Sequence, residues 1–224
     1  MAWLLAVKGP PRSFSMKIKI CGITNVEDAA VAVKAGADAL GFVMYRKSPR
    51  WVEPTVARSI IAGLPPFVFP VGVFVNEEAD RVRALMDECG FALAQLHGDE
   101  SSLYCQSLGR PALKALRLKD RGTFLVLAEF QGRANVRGFL IDAFSDQAYG
   151  GTGKTVDWTL AQDAARSTPI ILAGGLTPTN VAEAIAQVRP YGVDVSSGVE
   201  QSPGKKDPNK VKAFIQAARL VPVE

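Results

Sequence analysis

The sequence predicts an α/β fold and, within that class, a single-domain (β/α)8 barrel, also called a TIM barrel. Short apolar runs alternate with longer amphipathic segments eight times along the chain, with turn residues at nearly every junction. The runs are apolar almost throughout, as strands of a parallel sheet are when helices cover it. The ~209 residues after the first fifteen give about 26 residues per strand–helix unit, near the lower limit for this barrel.

Each predicted strand is a run of β-branched and other apolar residues that ends at a turn or a polar residue. In chain order the strands are predicted at Lys17–Cys21, Ala39–Val43, Phe69–Val75, Ala92–Leu96, Ala112–Leu118, Gly138–Asp142, Ile170–Ala173 and Val193–Ser196. In a barrel, functional groups lie at the carboxyl ends of the strands and in the loops that follow them, so these ends are where a site is expected.

The helices between the strands have recognisable ends. Thr24 and Glu27 have the spacing of a capping box and predict the start of a helix that stops at Gly36. Carboxylates after Asn76 favour the start of a helix that ends near Gly90. Six further helices are predicted around Thr55–Gly63, Glu100–Gly109, Thr123–Gly132, Asp157–Ser167, Asn180–Val188 and Asn209–Leu220.

A doubly wound open sheet also alternates strands with helices and is the competing architecture. It normally carries a glycine fingerprint directly after its first strand. Here the first strand runs into Cys21, Gly22, Ile23 and Thr24, and the glycines gather late in the chain. The closed barrel is therefore the preferred prediction.

The composition favours one globular domain with small anionic ligands. The 224 residues are 48% hydrophobic and 21% charged, which suits one full-sized core. The net charge of +4 is spread along the chain without a basic run, so no nucleic-acid partner is expected. Cys21, Cys89 and Cys105 form no C-x-x-C pair and His97 is the single histidine, which predicts no metal site and a reduced, cytoplasmic protein.

Residues 1–15 are predicted to be a flexible extension, and residues 16–224 to form the catalytic barrel domain. The apolar stretch from Trp3 to Val7 is far too short to span a bilayer, and it lacks the basic leader of a signal peptide. No membrane partner is therefore expected. Met16 stands directly before the first predicted strand.

Two glycine-containing loops predict a phosphate site. Gly174 and Gly175 follow strand 7, and Ser196, Ser197 and Gly198 end strand 8. Glycines let backbone N–H groups approach an anion, and loops after strands 7 and 8 form a recurrent phosphate site in this fold. Either loop alone would fit an ordinary tight turn; both at the matching positions favour phosphate binding.

The glycine-rich segment after strand 6 superficially resembles a nucleotide P-loop because Gly153, Lys154 and Thr155 follow one another. The earlier glycine that the P-loop requires would fall at position 148, which is Ala148, so the spacing excludes this interpretation. The segment around Gly151, Thr152 and Gly153 is predicted instead to be a mobile cover for the site.

Two strand ends carry candidate proton-transfer groups. Asp142 follows an apolar run, so its carboxyl is expected at the rim of a low-dielectric barrel, where it is suited to donate a proton. The alternative is a carboxylate that caps a neighbouring backbone group. Cys21 ends strand 1, where it is either a catalytic thiol or a small core residue, as free cysteine usually is.

Seven motifs taken together resemble the phosphoribosylanthranilate isomerase family, in the right order and with compatible spacing from Met16 to about Leu220. They are Lys19-Ile20-Cys21-Gly22-Ile23-Thr24, Gly41-Phe42-Val43 with Ser48-Pro49-Arg50, Gly72-Val73-Phe74-Val75, Gln95-Leu96-His97-Gly98-Asp99-Glu100, Leu140-Ile141-Asp142 with Gly151-Thr152-Gly153, Leu172-Ala173-Gly174-Gly175-Leu176, and Asp194-Val195-Ser196-Ser197-Gly198-Val199-Glu200. Residues 1–15 have no counterpart in the family pattern.

The resemblance implies an Amadori rearrangement of N-(5'-phosphoribosyl)anthranilate in tryptophan biosynthesis, with no cofactor because no redox change occurs. By the same resemblance Asp142 matches the acid that protonates the ring oxygen, and Cys21 the base that takes the proton from C2. A thiolate at Cys21 would require nearby cationic or amide groups that lower the thiol pKa. The sequence leaves open whether the chain is a monomer or a homodimer.

The resemblance also implies substrate contacts. Arg50 matches the residue that engages the anthranilate ring or its carboxylate, a task that suits a planar guanidinium. Asp194 is a weaker candidate for orienting the substrate amine. His97, Asp99 and Glu100 are predicted to be mainly structural, because Gly98 followed by acidic residues is typical of a helix start.

Two other functions fit parts of the sequence. The related isomerase of histidine biosynthesis is another phosphosugar barrel, but it would place an aspartate where this chain has Cys21. A barrel that binds a phosphorylated metabolite without catalysis would have no need of both Asp142 and Cys21. Turnover of the fluorescent anthranilate substrate distinguishes these possibilities.

Overall fold

The computed structural model describes residues 15–133, 135–143 and 157–222. In these residues eight parallel strands close into a barrel in the order β1 to β8, and β1 completes the ring by pairing with β8. The (β/α)8 prediction is confirmed, and the open doubly wound sheet is excluded because the sheet has no free edge.

The strands are β1 (Lys17–Cys21), β2 (Ala39–Val43), β3 (Phe69–Phe74), β4 (Leu93–Leu96), β5 (Ala112–Leu118), β6 (Val136–Ala143), β7 (Ile170–Leu172) and β8 (Gly192–Val195). Each lies within a few residues of its predicted position. A short 3-10 helix (Ser197–Val199) and a two-stranded hairpin, β9 (Glu200–Ser202) and β10 (Lys205–Lys206), follow β8.

The helices are α1 (Val26–Ala35), α2 (Pro54–Ala62), α3 (Ala79–Cys89), α4 (Ser102–Leu108), α5 (Thr123–Phe130), α6 (Trp158–Ser167), α7 (Val181–Val188) and α8 (Pro208–Arg219). The capping box predicted for Thr24 is wrong. Asn25 is the N-cap of α1, and its side chain accepts a hydrogen bond from the backbone of Asp28. The Thr24 hydroxyl donates instead to the carbonyl of Gly204 in the hairpin after β8.

Alternation along the strands separates two apolar regions. Residues such as Ile18 and Ile20 face the helices and join the main core. Side chains one position away face the inside of the barrel, where Leu113, Ala115, Leu140 and Ala173 form a second cluster. Because successive side chains of a strand point to opposite faces, this register also turns Lys19, Cys21, Gln95, Asp142 and Asp194 toward the inside.

The barrel is anchored where β1 begins. Met16 is buried in the main core, and the Arg219 guanidinium at the end of α8 donates hydrogen bonds to the Ser15 hydroxyl and the Met16 carbonyl. Of the helices that the structure describes, none combines the length and the apolar character needed to cross a membrane.

Candidate active site

The candidate active site lies inside the barrel at the carboxyl ends of the strands, and Cys21 is the last residue of β1 there. The Cys21 side chain packs against Val43 and Val73 of the two following strands. Gly41 on β2 makes room for it, because a Cβ atom at this position would lie 2.7 Å from the Cys21 sulfur and 3.0 Å from the Lys19 side chain. Cys21 and Lys19 therefore share one small space beside Gly41.

Lys19 forms a buried ion pair with Asp194. Its Nζ donates to Oδ1 of Asp194 at 2.9 Å, and the two residues are only 4% and 7% exposed. Burial by itself lowers the pKa of Lys19, but the charges of Asp194 and Cys21 outweigh it and leave the pKa above its ordinary value. Lys19 is thus held as a cation next to the thiol.

The thiol of Cys21 has a raised pKa. Burial is the largest cause and Asp194 adds to it, whereas the ammonium groups of Lys19 and Lys206 act in the opposite direction. Neighbouring cations were expected to lower the pKa of this thiol. The cations are present, but desolvation outweighs their effect and the pKa is raised. A thiolate at Cys21 is a minority form that Lys19 stabilises.

Arg50 lies beside the same strand ends and is held by Glu200. Its Nε and Nη2 donate to the two carboxylate oxygens of Glu200 at 2.9 and 2.7 Å, a bidentate pair. Gly22, with a left-handed φ of 80°, allows this approach, because a Cβ there would lie 2.9 Å from Arg50 Cδ and 3.0 Å from the Ser196 hydroxyl. Arg50, the loop after β1 and the loop after β8 therefore meet at one point.

Glu200 was not recognised as functional from the sequence, although it ends the last of the seven motifs. Its carboxylate also accepts from Lys206 Nζ at 2.9 Å, and Lys206 is fully buried. Burial alone would raise the pKa of Glu200, but hydrogen bonds and charges from Arg50 and Lys206 hold the pKa of this carboxyl below its ordinary value. The sequence signal was an acidic residue two positions after the end of the predicted phosphate loop at Gly198.

Asp142 sits near the end of β6 on the inner face of the barrel and is buried. Its Oδ2 lies 3.1 Å from Nε2 of His97, and the other ring nitrogen of His97 lies 2.8 Å from the side-chain nitrogen of Gln95. The Cα atom of Arg117 on β5 is the ladder partner of Asp142, and the Arg117 guanidinium pairs with Asp99 at 2.5 Å. The candidate acid is therefore a member of a hydrogen-bonded chain across β4 and β6.

His97, Asp99 and Glu100 were predicted together as the start of a helix, but in the structure they make different kinds of contact. Ser101 is the N-cap of α4. The Glu100 carboxylate accepts from the backbone of Asn76 and Gly98, and from Lys114 Nζ at 2.7 Å, which ties the loops after β3 and β4 to β5. Glu100 is thus structural, as predicted, whereas His97 reaches into the candidate site.

The loop after β7 has glycines in the left-handed backbone region, as either an ordinary tight turn or an anion site would require. Gly174 and Gly175 have φ values of 84° and 65°. Gly198 packs directly on the preceding loop, because a Cβ atom there would lie 1.9 Å from the carbonyl oxygen of Leu176. Among the described residues, no protein acceptor receives the backbone N–H groups of Gly174, Gly175, Ser197 or Gly198.

The segment predicted to cover the site, around Gly151, Thr152 and Gly153, lies outside the described residues. Cys89 and Cys105 lie in α3 and α4, and so in the helical layer away from the inside of the barrel. Within the described ranges, no three His, Cys, Asp or Glu side chains are grouped so that they could hold a metal ion.

Known proteins resemble this chain in sequence and in fold. A family model described as N-(5'-phosphoribosyl)anthranilate (PRA) isomerase matches residues 18–217. The N-(5'-phosphoribosyl)anthranilate isomerase of Geotalea uraniireducens is 54% identical over 203 residues, covering 91% of this chain and 98% of that relative.

Solved structures give the same result. Phosphoribosyl anthranilate isomerase from Thermotoga maritima has a TM-score of 0.84 and 41% identity, and the match covers 91% of this chain and 98% of that one. A phosphoribosyl anthranilate isomerase in complex with reduced 1-(o-carboxyphenylamino)-1-deoxyribulose 5-phosphate has a TM-score of 0.81 and 40% identity, with the same coverage.

Proposed function

Because this chain belongs to the N-(5'-phosphoribosyl)anthranilate isomerase family, and is therefore an isomerase of tryptophan biosynthesis, we propose that Asp142 and Cys21 are its acid and base. The reaction converts N-(5'-phosphoribosyl)anthranilate, an aminoaldose, into 1-(2-carboxyphenylamino)-1-deoxyribulose 5-phosphate, an aminoketose. The observation that carries the proposal is the placement of both groups on the inner face of the barrel at the carboxyl ends of β1 and β6.

The first step opens the furanose ring. Asp142 donates a proton to the ring oxygen, the C1–O bond breaks, and the lone pair of the anthranilate nitrogen forms a C1=N bond, which gives a protonated Schiff base. Asp142 is left as a carboxylate. The His97 imidazole lies 3.1 Å from its Oδ2, within reach to donate a hydrogen bond to the charge that develops there.

The second step moves hydrogen from C2. The Cys21 thiolate removes the C2 proton, the C–H electrons form a C1=C2 double bond, and the electrons of the C=N bond return to nitrogen. The enolamine then gains a proton at C1 and loses the hydroxyl proton at C2, which yields the ketone. Because burial raises the pKa of Cys21, its thiolate is scarce but strongly basic, and Lys19 is its counterion.

Arg50 is proposed to contact the anthranilate ring by its planar face. The edge formed by its Nε and Nη2 is occupied by the carboxylate of Glu200, which fixes the plane of the guanidinium. A guanidinium held in this way suits stacking on an aromatic ring better than a second bidentate carboxylate contact. Of the two contacts that the family resemblance left open, the ring is therefore the one we propose.

The phosphate of the substrate is proposed to bind the loops after β7 and β8, at Gly174, Gly175, Ser196, Ser197 and Gly198. Backbone N–H donors and the buried hydroxyl of Ser196, which has no partner among the described residues, support this assignment. Asp194 is proposed to orient the substrate amine. We also propose that the protein acts in the cytoplasm, as a monomer or a homodimer.

The reaction is tested directly by turnover. Purified protein should consume N-(5'-phosphoribosyl)anthranilate, followed by its fluorescence, without any added cofactor or metal. The aminoaldose substrate of the histidine pathway should react far more slowly, because that related isomerase would place an aspartate where this chain has Cys21. Binding of the anthranilate substrate without turnover would instead indicate a non-catalytic barrel.

Placing a carboxylate beside the phosphate loops tests the anion site. Ser197→Asp should raise KM by ~10-fold or more, since like charges a few ångströms apart repel strongly in a partly desolvated site. KM for the anthranilate substrate is the measurement, and Ser167→Asp, at the end of α6, is a control with the same change of residue. If KM is unchanged in folded Ser197→Asp, the phosphate binds elsewhere.

A further inference from the structure

We infer that His97 is a positioning residue for Asp142, and that Gln95 fixes the tautomer in which the imidazole meets it. The inference rests on the proposed role of Asp142 as the acid. It gives a function to Gln95, which has no predicted role from the sequence, and to His97, which the sequence predicts to be mainly structural.

The three side chains form a buried chain of contacts. Gln95 Nε2 lies 2.8 Å from His97 Nδ1, and His97 Nε2 lies 3.1 Å from Asp142 Oδ2. Gln95, His97 and Asp142 are 1%, 9% and 5% exposed. Hydrogen bonds shielded from water in this way hold their geometry better than exposed ones, because water cannot compete for the same donors and acceptors.

The orientation of the Gln95 amide determines the tautomer of His97. Gln95 Oε1 is buried and has no hydrogen-bond partner among the described residues. Turning the amide over would leave an NH₂ group with two donors in that place, which costs more than one unpaired carbonyl oxygen. Nε2 of Gln95 therefore donates to Nδ1, so the proton of a neutral imidazole sits on Nε2 and is donated to Asp142.

A neutral donor is what an acid of this kind requires. An imidazolium at 3.1 Å would hold Asp142 as a carboxylate, which has no proton to give. A neutral N–H donor allows Asp142 to be protonated before the reaction. It also stabilises the carboxylate that forms when the proton moves to the ring oxygen. The amide of Gln95, unlike a carboxylate in its place, does not favour the charged imidazole.

The backbone around His97 is fixed independently of Asp142. The His97 N–H donates to the Phe74 carbonyl at 2.8 Å, and Lys114 Nζ donates to the Gly98 carbonyl at 2.7 Å. Lys114 in turn pairs with Glu100. Because these contacts hold the chain on both sides of His97, the imidazole has a fixed position from which to orient the carboxyl group.

Two isosteric variants of His97 test the proposal. Gln places an amide donor near the position of Nε2, whereas Asn places one near Nδ1, too short to reach Asp142. His97→Gln should keep kcat within about tenfold of the wild type, and His97→Asn should lower it by ~10²-fold with KM changed by less than about twofold. Thermal unfolding of both variants reports whether the fold is intact.

Gln95 supplies a second test that leaves His97 in place. Gln95→Glu puts a carboxylate beside Nδ1, which draws a proton to Nδ1 and so removes the neutral arrangement in which only Nε2 carries one. Its kcat should fall by ~10-fold or more, with KM changed by less than about twofold. Gln95→Met adds no charge and cannot draw a proton to Nδ1, so it should lose less kcat than Gln95→Glu. Two charged pairs close to these residues, Arg117 with Asp99 and Lys114 with Glu100, stay the same in every variant.

The outcomes separate this inference from the proposed function. Asp142→Asn should lose at least ~10²-fold in kcat if Asp142 is the acid at all. If Asp142→Asn is inactive but His97→Gln and His97→Asn have equal kcat, or Gln95→Glu and Gln95→Met have equal kcat, the positioning role is wrong and the acid assignment stands. If Asp142→Asn turns over normally, the acid assignment itself is wrong.

Discussion

The two sides of the barrel mouth are built from different interactions. On the side of β1 and β8, which carries Cys21, buried groups are charged and paired: Lys19 with Asp194, and Glu200 with Arg50 and Lys206. On the side of β4 and β6, Asp142 contacts the His97 imidazole, whose other nitrogen contacts the amide of Gln95. The buried pair of Lys114 and Glu100 holds the neighbouring backbone at Gly98. We refer to these as the base side and the acid side.

The difference follows from what each group must do. A base has to lose its proton before it can act, so a cation such as Lys19 beside the thiol is useful and its partner Asp194 keeps it in place. The proposed acid has to keep its proton until the substrate is bound, and the neutral His97 donor that we propose is compatible with this. Both proposed groups are buried, so it is the partners of each group that distinguish the two roles.

The largest expected effect is on the base side, at the thiol itself. Cys21→Ser should lower kcat by roughly 10²- to 10⁴-fold, because a serine hydroxyl is far too weak an acid to supply a base. The measurement is kcat per folded molecule, with thermal unfolding recorded on the same variant. Normal turnover would mean that Cys21 only fills space beside Gly41, and the catalytic base would then be another residue.

The chain supplies matched controls for this change. Cys89 and Cys105 are buried thiols of the helical layer, and desolvation raises the pKa of each to about 11. Cys89→Ser and Cys105→Ser bury a hydroxyl in the same way as Cys21→Ser and should therefore lose stability. Because neither thiol is inside the barrel, their kcat per folded molecule should stay near that of the wild type.

The next effect concerns the cation of the base side. Lys19→Met removes a charge that lowers the pKa of Cys21, so that pKa should rise further and the thiolate should become scarcer. At neutral pH kcat/KM should fall by ~10- to 10²-fold, one to two pKa units, and the loss should shrink as the pH rises and the thiol ionises. A pH-independent loss would show that Lys19 acts only through the fold.

This variant also loses stability, and a control on the same strand separates the two effects. Lys19→Met leaves Asp194 buried without its partner, which should cost about 3–5 kcal/mol of unfolding free energy. Lys17→Met removes an exposed lysine of the same strand, where the surface pair with Asp38 contributes little. The Lys19→Met loss should recover toward high pH, whereas Lys17→Met should show no pH-dependent loss, and this difference is the sharpest test of the base side.

The smallest effect is expected from Arg50, which contacts substrate without moving a proton. Arg50→Met should weaken binding of anthranilate-containing ligands by ~10-fold, the effect expected from the loss of one cation–π contact. Binding of ribose 5-phosphate should be unchanged. Arg46→Met, in the same loop but with its guanidinium over Trp51, is the control. Equal losses for both ligands would argue that Arg50 serves the phosphate or the fold instead.

The architecture and most strand ends could be predicted from the sequence. Apolar runs bounded by turn residues are local properties of the chain, so they predict where strands lie and end. The positions of Cys21 and Asp142 at the ends of β1 and β6 were therefore predictable, whereas Asp194 was recognised only through the family resemblance. Helix starts were less certain, since Thr24 and Asn25 both have side chains that can cap a helix.

Which of these groups meet depends on the tertiary structure. Arg50 and Glu200 are 150 residues apart, Lys19 and Asp194 are 175 apart, and His97 and Asp142 are 45 apart. Such contacts depend on the order in which strands close the barrel and on the stagger between them, which no local pattern specifies. The sign of the Cys21 pKa shift was also beyond the sequence, because desolvation and nearby charges oppose each other and their balance depends on depth and distance.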